Sequence, residues 1–349
     1  MPDRLNRAQS PTISDVARRA RVSRATVSRV LNRYPHVRPQ LRAAVQNAVR
    51  ALRYRPDHVA RSLARRETQT LGLVVADITN PFYAETARAI LETVLDRGYN
   101  VILCNTDNRP RLQEEYVEVL RQRRVDGIIF GSVFLHDPVV EGLVEAGYPC
   151  IMYNRRLRSG RGNYIVLDNL RASQELTRHL LGLGHRHIGF VSGLPQLSTA
   201  AERLRGYRAA LRGAGLLVDP RLIRPGGFKA DLAQGAAHEL LKLPRRPTAI
   251  VTANDLMALG VMQAAGELGL RVPQDLAVVG FDDIAIAGHR QIQLTTMAQQ
   301  KAEMGRLAAE GILEIVRDPQ RFARQPLQRV LAPRLVVRRT CGSMQAARR

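Results

Sequence analysis

The sequence predicts a small all-α domain at the front of the chain and, behind it, a much larger parallel α/β domain built in two similar halves. Three observations predict this. Residues 12–52 carry apolar side chains at helical spacing, interrupted twice by cap and turn residues. From residue 71 short apolar runs alternate with longer helical patterns, the signature of parallel α/β architecture. That alternation restarts at HIGFVSG, so the second domain reads as two lobes of like topology.

The first helix opens at Thr12, whose hydroxyl can accept the Asp15 amide while Asp15 reaches back, a T-x-x-D form of the capping box. Ile13, Val16, Ala17 and Ala20 then share one face. Ser23 supplies a second cap, after which Val27, Val30 and Leu31 point inward and Arg24, Ala25, Ser28, Arg29 and Asn32 point outward. Two helices this short need a third, and PQLRAAVQNAVRALRY provides it, with Pro39 in its first turn and Leu41, Val45, Ala48, Val49 and Leu52 as its apolar stripe. Such a unit is a helix-turn-helix, and the outward face of its second helix is shaped for a DNA major groove. Arg24, Ala25 and Arg29 are the expected base readers: arginine can donate two hydrogen bonds to guanine, whereas Ala25 offers only a methyl contact. Thr12, Ser14, Thr26, Ser28, Asn32 and His36 are expected on the DNA backbone.

Charge agrees. Residues 1–69 hold sixteen arginines, no lysine and four acidic residues, which is +12 of the formal +22. An arginine-rich composition alone does not concentrate charge at one end of a chain.

The stretch TISDVARRARVSRATVSRVLN resembles the opening of the lactose-repressor (LacI) family of bacterial transcription regulators, and the likeness continues to about residue 340. The resemblance implies a helix-turn-helix DNA-binding domain over 12–56; the short, polar stretch 1–11 before it reads as a disordered tail. It implies a hinge helix and linker over 57–70, which pairs with its twin and presses Leu63, flanked by Ala60, into the minor groove of a palindromic operator. From composition alone that segment is equally a plain linker. About eight residues are too few for a stable isolated helix, so it needs a partner.

The rest, 71–340, then corresponds to a two-lobed periplasmic-binding-protein-like effector-binding and dimerisation domain. LGLVVA, NVILCN, GIIF, CIMY and YIVL are the strand candidates of the first lobe, about 71–168 and 300–327. HIGFVSG, AIVTAND, LAVVGFDD and RLVVRR are those of the second, about 169–299 and 328–340, with crossings near Asp168, Gln299 and Gln328. The tail, 341–349, lacks a heptad run, so a dimer rather than a tetramer is expected.

Ligands of open α/β sheets sit beyond the carboxyl ends of the strands, which directs attention to the loops at 77–83, Asn154-Arg155, Asp168-Asn169, Thr199 to Arg203, Asn254-Asp255 and Asp282-Asp283. By similarity to the family, Phe82 and Tyr83 line the near lobe, Arg203 and Asp282 bond ligand hydroxyls or a carboxylate, and Phe228 stacks on the ligand. Asn154, Asp168, Thr199 and Asn254 complete the implied effector set. Structural readings stand beside these: Asn80 and Asp255 can cap the helices that follow, Phe82 and Phe228 can be core aromatics, and Arg203 with Asp282 can form an interlobe ion pair.

Other classes find little support. Three scattered cysteines form neither a disulfide framework nor a zinc site, and His185 and His187 lack a third ligand at metal spacing, so neither a cofactor nor a metal is expected. There is no phosphate-binding loop, nucleophile elbow or H-E-x-x-H, hence no catalytic residue and no enzyme. No run is long enough to span a membrane, and MPDRLNRAQSP has no signal-peptide core, which predicts a cytoplasmic protein. The expected function is a sequence-specific DNA-binding transcriptional repressor, dimeric on double-stranded operator DNA and controlled by a small sugar-like effector. The alternative is a sugar-binding protein of the same fold without gene regulation.

Overall fold

The computed structural model describes residues 11–31, 34–54 and 68–342. The expected front tail and most of the hinge segment lie outside them. The chain divides into two compact units that part between Thr68 and Gln69.

The first unit is three helices, α1 (Ile13–Ala20), α2 (Arg24–Leu31) and α3 (Pro39–Ala51). The capping box forms: the Asp15 amide donates to Thr12 Oγ1 at 3.3 Å and the Thr12 amide to Asp15 Oδ2 at 2.9 Å. Arg21 then takes a left-handed φ of 52° to end α1, and Ser23 Oγ accepts the Thr26 amide at 3.1 Å to start α2. Val16, Val27 and Val45 are fully buried at the centre, with Ala17, Val30 and Ala48 around them. Leu41 departs from its expected place in the stripe and is 37% exposed. Two eight-residue helices cover only part of a thirteen-residue one. Thr12→Ala removes the cap and is expected to lower the stability of this unit by about 1 kcal/mol. Faster hydrogen exchange of the α1 amides in the full-length chain is the check, and unchanged exchange would contradict it.

The second unit holds two six-stranded sheets. In the first, β1 (Thr70–Val75), β2 (Asn100–Asn105), β3 (Gly127–Phe130), β4 (Cys150–Tyr153), β5 (Tyr164–Leu167) and β11 (Gln328–Leu331) lie in the order β11-β5-β4-β3-β1-β2, every pair parallel. In the second, β6 (Ile188–Ser192), β7 (Ile223–Pro225), β8 (Ala249–Thr252), β9 (Ala277–Asp282), β10 (Thr295–Ala298) and β12 (Arg334–Val336) lie in the order β12-β10-β9-β8-β6-β7. The two orders correspond strand for strand. They differ at one edge, where β12 runs antiparallel to β10.

Helices cover both sheets: α4 (Pro81–Leu95), α5 (Pro110–Gln122) and α6 (Pro138–Glu145) in lobe 1, and α7 (Asn169–Gly182), α8 (Ser198–Gly213), α9 (Ala230–Leu241) and α10 (Asp255–Glu267) in lobe 2. The chain then returns to lobe 1 with α11 (Lys301–Arg317) and α12 (Pro319–Arg324). Central strands such as β3 and β4 are apolar throughout because helices bury both faces. Between α4 and α11 the backbones nearly touch: a Cβ on Gly305 would sit 2.6 Å from the Thr86 carbonyl oxygen. The three cysteines are buried and none is in a disulfide, and burial pushes the Cys150 thiol up to about 12.

Three features correct the sequence reading. The last crossing falls at residues 332–333 rather than near Gln328, because β11 pairs with β5 and so belongs to the first sheet. Cys341, assigned to the tail, is buried and accepts the Thr295 hydroxyl at 3.1 Å. Finally β7, β10 and β11 were not among the strand candidates: TTMA has no large aliphatic run, and β11 is a largely exposed edge with a half-polar sequence.

Candidate functional site

Exposed arginines stand on all three helices of the first unit, Arg18 and Arg19 on α1, Arg24 and Arg29 on α2 and Arg50 on α3. On α2, Arg24, Ala25 and Arg29 are exposed while Thr26 and Ser28 are half-buried. Ser14 is half-buried at the start of α1, and His36 is exposed, edge-on to Tyr34 with ring centroids 6.4 Å apart. The Thr12 hydroxyl is already engaged, donating to Asp15 Oδ2 at 2.7 Å. Asn32, and Ala60 and Leu63 of the hinge, lie outside the described residues. Asp15 is the single acidic residue in the stretch 11–54. The Thr12 hydroxyl and amide hold its carboxyl below the usual carboxylate range, and Arg18 stands 3.2 Å away. Among the described residues of this unit, nothing acidic therefore opposes Arg24 and Arg29 on the outward face of α2.

In the second unit, a cleft lies beyond the carboxyl ends of the strands of both sheets. Lobe 1 lines it with Phe82 and Tyr83 from the first turn of α4 and with Asn154 after β4; lobe 2 lines it with Thr199 and Arg203 of α8 and with Phe228, Asn254 and Asp282. The backbone is bent to aim three of these. Asn154 and Phe228 sit at φ 64° and Asp282 at φ 120°, left-handed values that ordinary residues adopt at an energetic cost, and such strain gathers at binding sites.

Arg203 is the centre of the cleft. It is 2% exposed, its Nε donates to Asn169 Oδ1 at 2.8 Å, and its Nη1 donates to the Ala253 carbonyl. The guanidinium carbon stands 3.6 Å from the Phe281 ring centroid and Nη1 is 3.8 Å from Asp282 Oδ1. The expected ion pair thus exists, but within lobe 2 rather than between lobes, since α8 and β9 carry both partners. Burial lowers Arg203 to about 10 and raises Asp282 to about 6, against the pull of each on the other. Desolvation therefore outweighs their attraction.

Asp168 is the implied site residue that the cleft does not include. It stands at the first crossing, where its carboxylate folds over the start of α7 and accepts the Arg171 amide at 3.0 Å. Asn254 both lines the cleft and caps α10, accepting the Met257 amide at 2.9 Å. Asp255 caps nothing; it is buried, accepting the Thr296 hydroxyl at 2.5 Å and the Ile284 amide at 2.9 Å. Asn80 caps α4 through the Phe82 amide at 3.0 Å and also reaches the cleft.

Asp77 and Arg155, which lie in strand-end loops the sequence points to but stand outside the implied effector set, line the cleft too, and so do Asn108, Lys229 and Gln299, which the strand-end reading does not reach. Arg155 was visible beside Asn154 at a strand end. Gln299 directly follows β10, and the strand-end rule would have found it had that strand been recognised. Three atoms at this site, Asn154 Oδ1, Arg155 Nε and Gln299 Oε1, are buried without a hydrogen-bond partner. Unmet groups of this kind are expensive unless something fills the cleft. Two are acceptors and one is a donor, so the complement is a molecule whose polar groups both donate and accept.

Among the described residues no three histidine, cysteine or acidic side chains are placed to hold a metal ion, and no helix is long and apolar enough to cross a membrane.

Comparison with known proteins follows the same division. Residues 12–57 match the family described as bacterial regulatory proteins, lacI family, and residues 177–341 match a periplasmic binding protein-like domain. The ribose operon repressor of Escherichia coli (strain K12) is 37% identical over 309 residues, covering 88% of this chain and 94% of that protein. The HTH-type transcriptional repressor PurR of Photobacterium profundum is 34% identical over 330 residues, 94% of this chain and 98% of that one. Among solved structures, the Lac repressor dimer bound to operator and the anti-inducer ONPF superposes with a TM-score of 0.85 at 28% identity, over 95% of this chain and 99% of that one.

Proposed function

This chain belongs to the lacI family of bacterial regulatory proteins and is a DNA-binding transcriptional regulator, and we propose that it represses from a palindromic operator as a dimer under control of a neutral monosaccharide of the ribose class. The observation that carries the effector reading is the cleft's three unpartnered polar atoms. Ring hydroxyls both donate and accept, so a single polyol can satisfy Asn154, Gln299 and Arg155 at once, while Phe82 and Phe228 offer apolar faces to its C–H surfaces. The name of the ribose operon repressor supports a pentose over other polyols. The alternative, a binding protein without gene regulation, gives residues 12–54 no role.

In this reading α2 enters the major groove, with Arg24 and Arg29 reading bases and Thr12, Ser14, Thr26, Ser28, Asn32 and His36 on the backbone. Segment 57–70, with Ala60 and Leu63, couples lobe closure to the operator centre. The family consists of regulators rather than enzymes, and an operator-binding protein works in the cytoplasm, where the DNA is.

The test is a fluorescence-anisotropy titration of the full-length protein against a duplex selected from genomic fragments, with neutral pentoses and hexoses added one at a time. Arg29→Ala is expected to weaken binding to the selected duplex by about 5- to 150-fold, the roughly 1–3 kcal/mol of one bidentate base contact, with a much smaller loss on an unrelated duplex. An equal loss on both would place Arg29 on phosphate. One neutral sugar is expected to shift operator affinity about tenfold or more. A shift by nucleobases alone, with every sugar silent, would refute the monosaccharide reading.

A further inference from the structure

A second groove, of about 540 Å³, opens between the lobes and shares no lining residue with the effector cleft. The two faces of α8 explain the separation: Thr199 and Arg203 line the cleft, while Ser198, Glu202 and Arg205 line the groove. An apolar cluster of Phe134, Leu197 and Ala200, with Phe228 packed against it, joins the lobes beside them.

Four arginines line this groove, Arg156 and Arg158 from the loop after β4 in lobe 1 and Arg205 and Arg208 from α8 in lobe 2. Among the described residues that line it, Glu202 supplies the single carboxylate. Glu202 Oε1 is 2.8 Å from Arg156 Nη2 and 3.9 Å from Arg205 Nη2, and its side chain is 10% exposed. One charge is thus shared between two guanidiniums, and the groove keeps an excess of about three positive charges at neutral pH. The start of α8 is here as well. A sixteen-residue helix directs the positive end of its dipole and its first free amides toward Ser198. An arginine-rich composition scatters guanidiniums over solvent-facing surface. It does not account for four of them lining one groove from two lobes with a single carboxylate among them.

We propose that this groove is a second ligand site, distinct from the effector cleft, and that it takes a small phosphorylated metabolite whose phosphoryl group bridges the lobe 1 and lobe 2 arginines. Guanidinium forks match phosphoryl oxygens in pairs, which a chloride or a single carboxylate cannot exploit to the same degree. The lobes are already clasped at this place, the Arg156 amide donating to Ser198 Oγ at 3.1 Å and the Leu135 amide to the Gln196 carbonyl at 2.8 Å. A bridging anion adds to that clasp and favours the closed arrangement.

The experiment uses the full-length protein, with inorganic pyrophosphate as the probe, titrated calorimetrically at constant ionic strength made up with chloride. Saturable binding is expected, and the double substitution R205A/R208A is expected to weaken it about tenfold or more. Both side chains lie on the outer face of α8, so the fold is retained, and operator affinity of the variant serves as the check on that. An unchanged pyrophosphate affinity in R205A/R208A, competitive displacement of pyrophosphate by a sugar that binds the cleft, or equal affinity for citrate would each overturn the proposal. The effector reading is not at stake in this test, because the readout is the pyrophosphate titration itself.

Discussion

Arg203→Ala is expected to destabilise the two-lobed unit by about 3 to 5 kcal/mol and to abolish the response of operator binding to effector. The magnitude follows from what remains. Asp282 loses its guanidinium partner at 3.8 Å, while Asn169 Oδ1 and the Ala253 carbonyl lose their donor. Asp282, already raised to about 6 by burial, is pushed further toward the neutral acid when the guanidinium is gone. Because both partners are shifted against ionisation, the pair is a poor source of stability in itself. Its use lies in presenting a fixed fork and a fixed carboxylate to a ligand. Arg203→Lys separates the two effects: it keeps the charge, loses the planar fork, and should recover part of the stability with little of the effector response. Thermal unfolding read beside an effector titration decides the matter. Full effector response in the alanine variant would remove Arg203 from the binding site.

The second large effect concerns the head. Val27 is fully buried in a core of six buried apolar side chains among the described residues. Val27→Asp places a carboxylate there with no partner, a change worth several kcal/mol against a unit too small to have much in reserve. Operator binding is expected to fall by about a thousandfold or more, equivalent to roughly 4 kcal/mol. Sugar binding and the unfolding of residues 69–342 should be untouched, since the two units are separately compact. Anisotropy and calorimetry on the same sample provide the check. Operator affinity within tenfold of the parent would show that the head does not depend on this core.

Much of this was legible in the sequence for local reasons. A capping box is four residues long, so TISD announces the start of α1 without help from the fold. Buried parallel strands such as GIIF and CIMY are apolar on both faces and stand out for that reason. The strand-end rule reached Asn254 and Asp282 because they stand at the ends of strands that could be recognised, and Arg203 because it lies on the helix that follows one. What stayed hidden depended on distant partners. TTMA becomes a strand only because β9 and β12 flank it, and Gln299 was lost with it. Asp168 has a strand-end position but a helix start directly behind it, and the closer acceptor geometry prevails. The arginine groove was invisible because residues 156–158 and 205–208 meet only when the two lobes face each other.

The return of the chain to lobe 1 bears on how the protein is made. The β4 strand and the close-packed side of α4 are covered by α11, residues 301–317, and the sheet gains its last edge only with residues 328–331. A ribosome releases the whole middle of lobe 2 before those residues emerge. Lobe 2 can therefore gather around its central strands while lobe 1 still lacks a wall, leaving Ile129 and Ile151 without the helix that shelters them. Nascent chains of this protein are expected to expose the apolar side of the earlier lobe until residues 301–331 have been made, the interval in which a chaperone has most to protect.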